Sequence, residues 1–95
     1  MDLTTFKELL QDDSAASELQ GPLLALWKAG RDDWHGAHNI VQDDPSVHAA
    51  WIHAYLHRAE GDLGNAAYWY RRAGQPVASN DLEREWEEIA TALLK

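Results

Sequence analysis

The chain has 95 residues, with 16 acidic against 8 basic side chains, a formal net charge of −8 and no cysteine. That length supports one domain with a modest core, the charge argues against nucleic acid and anionic membrane surfaces as partners, and the lack of cysteine excludes disulfides and thiolate metal sites. No apolar run approaches the ~20 residues needed to span a bilayer, and MDLTTFKELLQDD lacks the basic start and apolar core of a signal peptide, so a cytoplasmic location is expected.

Residues 2–11 predict a short amphipathic helix, with Thr5 and Glu8 spaced as a capping box and Leu3, Phe6, Leu9 and Leu10 on one side. Residues 12–20 are polar and read as a loop or a weak continuation. Gly21-Pro22 is a boundary, and Leu23 to Ala29 makes two turns ending at Gly30. Asp32 or Asp33 caps a helix over about 33–43, whose apolar face is Trp34, Ala37, Ile40 and Val41. Asp44-Pro45 ends it and places a proline at the start of the next helix, Ser46 to Glu60, which is apolar nearly all round. Gly61 stops that helix in the left-handed conformation and Asp62 caps the following one, which runs to Ala73. Gly74-Gln75-Pro76 breaks the chain. Asn80 and Glu83 form a second capping box for a last helix over 81–94, with Leu82, Trp86, Ile89, Ala90 and Leu93 on one stripe and Glu83, Arg84, Glu87 and Glu88 toward water.

The pattern repeats. Trp34, Ala37 and Val41 echo Leu63, Ala66 and Tyr70 at a constant offset of 29, and a period near 30 residues with two helices per unit is the signature of a helical array. The expected organisation is a single all-α domain: an N-terminal helix and loop over 1–20, a first helix pair over 21–45, a second over 46–76 and a cap helix over 79–95.

Ala54, Gly61-Asp62, Ala66, Tyr70 and Ala73 fall at the spacing of the tetratricopeptide (TPR) repeat, which residues 47–74 resemble well and residues 21–45 poorly. The chain is also similar to small bacterial helical proteins that share W-H-x-A-H and H-A-Y-L-H-R-x-E-G-D, a likeness that implies no activity. The TPR resemblance implies antiparallel helix pairs, a concave surface that holds peptides, and His53 and His57 where that family has a leucine and a tyrosine.

Three sets of residues are candidates for a site. His53 and His57, four apart, share one helix face, and His35 and His38 stand at comparable heights on the preceding helix, with Glu60 nearby. Four imidazoles could then meet on a divalent metal. Their angular positions speak against this, because His53 and His57 lie opposite Trp51 and Tyr55, and half-buried histidines bonded to neighbours are the commoner outcome. Asn65, Tyr68 and Arg72 form a polar stripe suited to a carboxylate or phosphate, or an ordinary solvated face. His48, Trp51, Tyr55 and Arg58 form the third set: simple periodicity makes Trp51 and Tyr55 core, whereas the TPR resemblance turns the stripe onto the binding groove.

The expected function is a protein- or peptide-interaction module, whose partner is a peptide, another protein or a second copy of the chain. No catalytic motif is present. The alternative is a metal-binding protein or metal-dependent enzyme built on His35, His38, His53 and His57. No cofactor is assigned apart from that metal.

Overall fold

Short side-chain oxygens decide where the helices begin. In the computed structural model, which describes residues 1–95, the chain forms α1 (Leu3–Glu8), α2 (Gly21–Gly30), α3 (Trp34–Val41), α4 (Val47–Ala59), α5 (Leu63–Ala73) and α6 (Leu82–Leu93), and no strand. Two 3-10 stretches, Leu9–Gln11 and Asp13–Glu18, occupy the segment between α1 and α2. The fold is all-α. Asp2, Asp33, Ser46, Asp62 and Asp81 each accept from the amide three residues on, satisfying one of the free N–H groups of a helix start. The capping boxes expected at Thr5/Glu8 and Asn80/Glu83 do not form. Asp2 and Asp81 take those positions, since a carboxylate complements the positive end of the helix better than a neutral side chain. Pro45 lies just outside α4, one residue before its Ser46 cap.

The two helix pairs turn the same corner. At the end of α2 the Asp33 amide reaches back to the Lys28 carbonyl (2.9 Å), and at the end of α4 the Asp62 amide reaches His57 in the same way (2.9 Å). In each, the residue before the cap is left-handed: Asp32 with φ 63° and Gly61 with φ 88°. The offset of 29 seen in the sequence is thus also an offset between equivalent backbone turns. Helix α2 ends at Gly30 as expected, and this glycine also allows a close approach, since a Cβ there would stand 2.8 Å from Leu10 Cδ2 and 3.1 Å from the Trp86 ring.

Helix α4 is the centre of the molecule, packing most extensively on α5 and also on α2, α3 and α6. That explains its apolar surface on every side. The main core joins Phe6, Leu26, Trp27, Val41, Ile52, Leu56, Trp86 and Ile89, and a smaller one joins Ala54, Ala66 and Tyr70 between α4 and α5. Alanines at these contacts let the helix axes come close, and Tyr70 fills the space beside them. The Trp86 indole stacks on Phe6 (5.5 Å) and donates to the Leu26 carbonyl (2.9 Å).

Helix α6 does not extend the series beyond α5. After the irregular residues 75–81 it crosses back and packs against α1, α2 and α4. Its buried stripe is Glu85, Trp86, Ile89 and Ala90, while Leu82, expected in the core, is 37% exposed at the rim. Glu85 replaces it inside because its carboxylate has partners there.

Candidate metal centre

The seam between α3 and α4 is where the histidines gather. Trp34 and His38, four apart, share a face of α3, and the Trp34 indole donates to the Leu56 carbonyl of α4 (2.7 Å). This bond holds α3 against α4 and sets His38 opposite His53 and His57. The ligand atoms of His38, His53 and His57 lie within 4.8 Å of one another. Nitrogens sharing one tetrahedral ion sit roughly 3.3 Å apart, given bonds of ~2.0 Å, so small rotations of the rings bring all three into range.

His35 is not part of the cluster. It stands 100° round the helix from Trp34, exposed, with its ring edge-on to that indole at 5.2 Å. Of the four imidazoles expected to meet, three come together.

Each remaining histidine is held by its surroundings. His38 stacks on Trp34 (4.8 Å) and His53 on Trp69 of α5 (3.8 Å). His57 Nδ1 lies 2.7 Å from Glu60 Oε2. The carboxylate can only accept, so Nδ1 is the donor, the carboxylate–histidine arrangement that orients metal ligands. His53 is 4% exposed, yet its Nδ1 has no hydrogen-bond partner in the protein. A buried polar atom without a partner is destabilising. Burial, followed by the nearby His38, His57 and Arg72, pushes the His53 pKa down to about 4. Burial and His57 lower that of His38 as well. Both rings are consequently neutral at pH 7, which is the form that binds metal.

The groove candidates close on α6. Glu85, 1% exposed, accepts from Arg58 Nη1 (2.8 Å), the Tyr70 hydroxyl (2.6 Å) and Trp51 Nε1 (3.2 Å). Arg58 also donates to the Asn80 carbonyl just before α6. Burial and the Glu85 contact raise the Tyr70 pKa, keeping its hydroxyl a donor. Trp51 and Arg58 are thereby occupied within the chain. Tyr55, on the same side, is part-buried and lines open recesses, while His48 is exposed at the first turn of α4. Of the polar stripe on α5, Arg72 donates to the Tyr68 hydroxyl (3.2 Å) and lies over the Trp69 ring (4.9 Å). Asn65 is exposed near the Asp62 cap, with only its backbone amide engaged there.

Sequence reasoning missed Trp69 as the cover of His53, Trp34 as the support of His38, and Glu85 as an internal ligand. The i, i+4 spacing of Trp34 and His38 was a usable signal, as was a lone acid on the apolar stripe of α6. The chain matches no protein-family model, no curated protein and no solved structure. No helix is long and apolar enough to cross a membrane.

Proposed function

We propose that this chain binds one divalent transition-metal ion, of the zinc, nickel or copper kind, through His38, His53 and His57. The observation that carries this is the convergence of His38, His53 and His57, whose rings each offer a nitrogen within 4.8 Å of the others, with His53 itself buried and its Nδ1 unpartnered. The lowered pKa values and the Glu60 contact on His57 support it, because they supply neutral ligands with one ring already oriented. Imidazole nitrogen suits these ions, and with three protein ligands a fourth position remains for water or a small ligand. The surface recesses are lined by other residues, which favours an ion that clamps the first helix pair to the second over an open catalytic centre.

Titration of tag-free protein with zinc, nickel and copper salts at pH 7.5, followed by calorimetry and by quenching of tryptophan fluorescence, tests this. One ion per chain is expected, with binding abolished by His53→Ala or His57→Ala and retained by His35→Ala. Absence of stoichiometric binding, or an equal loss in His35→Ala, would overturn the proposal.

A second reading, a module that binds a peptide or protein partner, is favoured by one observation. Tyr55 of α4 lines two open surface recesses beside the first turn of α6.

A further inference from the structure

A groove runs along the end of α2, the Tyr55 side of α4 and the first turn of α6. It consists of two adjoining recesses of ≈ 400 and ≈ 290 Å³, both lined by Ala29, Asp32, Tyr55 and Leu82. Trp86 borders one end and Trp34 the other. The walls are largely apolar and aromatic, and one recess also carries three acids, Asp32, Glu83 and Glu87, against a single cation, Lys7. Glu87 is paired with Lys7 (2.6 Å), but Asp32 and Glu83 join none of the chain's ion pairs. Tyr55 lies between the two recesses, and burial, followed by Glu85, pushes its pKa up to about 12. Its hydroxyl is therefore a neutral group able to donate or accept.

Asp32 is also the one non-glycine residue with a positive φ. The equivalent corner between α4 and α5 uses glycine, at Gly61, for the same backbone conformation. Side chains are disfavoured there, although aspartate tolerates it better than most. The corner facing the groove thus carries a carboxylate that its own geometry does not call for.

We propose that this groove docks a basic segment of a partner protein. A lysine or arginine would lay its aliphatic stem over Tyr55 and Leu82 and present its charge to Asp32 and Glu83. Long cationic side chains combine an apolar stem with a charged head, an aromatic floor adds a cation–π attraction, and the net charge of −8 draws basic segments in. This surface shares no ligand with the histidine cluster and stands whether or not metal binds.

The test uses the intact chain and a capped heptapeptide alternating leucine with lysine or arginine, alongside the same peptide with norleucine in place of the basic residues. Binding is followed by calorimetry and by the backbone amide NMR shifts of Gly30 and Tyr55. The basic peptide is expected to bind and to shift those amides, while the norleucine peptide does not. Asp32→Gly should lower affinity at least tenfold while leaving the melting temperature unchanged or higher, because glycine relaxes the corner. Glu83→Gln should also lower affinity. Asp43→Asn, which removes one charge elsewhere, should change it less than twofold. An equal loss in Asp43→Asn would reduce the effect to general charge attraction and overturn the proposal. So would failure of the basic peptide to bind, or displacement of the peptide by equimolar spermidine.

Discussion

Glu85 is the residue on which the C-terminal helix turns. Its carboxylate is almost wholly buried and receives donors from two helices, Trp51 and Arg58 of α4 and Tyr70 of α5. Burying a carboxylate and a guanidinium costs desolvation, which is offset only while each keeps its partners. Glu85→Ala would leave Arg58, with 16% of its side chain exposed, without its counter-charge and the Tyr70 hydroxyl without its acceptor. A loss of about 3–5 kcal/mol in urea unfolding is expected, in line with breaking other buried pairs. A loss below about 1 kcal/mol would mean that the network is solvated and that α6 is held by its apolar stripe alone. The same three bonds explain why the Trp51 side of α4 is not a free groove along its whole length.

At the scale of elements, the two equivalent corners separate backbone conformation from side-chain contact. A Cβ built on Gly61 meets nothing within 4 Å, so replacing this glycine probes the left-handed backbone alone. Gly61→Val should therefore lower stability by roughly 2 kcal/mol, since a β-branched side chain is strained at positive φ. Thermal unfolding checks this, and an unchanged melting temperature would show that the corner can relax. Most element boundaries were legible because they are local: Asp33, Asp62, Gly61 and Gly74 act within a few residues of themselves. The return of α6 onto α2 and α4 was not legible, because it depends on contacts such as Trp86 with Leu26 that are distant in sequence. The candidate site was partly legible for the same reason. Histidine spacing gave the pair on α4 directly. Choosing His38 and excluding His35 required the rotation of α3, which the Trp34 bond to Leu56 sets.

For the whole molecule, the histidine seam should make stability depend on pH. Burial holds the His53 pKa at about 4 in the folded chain, against an ordinary value of 6.5, and lowers that of His38 in the same direction. As pH falls, the unfolded chain takes up these protons first, and stability drops with the difference in protons bound. The stabilisation is complete above about pH 6.5 and is lost progressively as pH falls toward 4. For His53 alone the loss by pH 5 is about 2 kcal/mol, a large share of the 5–15 kcal/mol typical of a small domain. Chemical denaturation at pH 7, 6 and 5 should show this decline in metal-free protein, and it should be much shallower in His53→Leu. Zinc at saturating concentration should raise stability at pH 7 and lose that effect toward pH 5, because protons and metal compete for the same nitrogens. Equal stability at pH 7 and pH 5 in metal-free protein would place His53 in a wetter setting than its burial implies, and would remove the reason for a neutral ligand set at this seam.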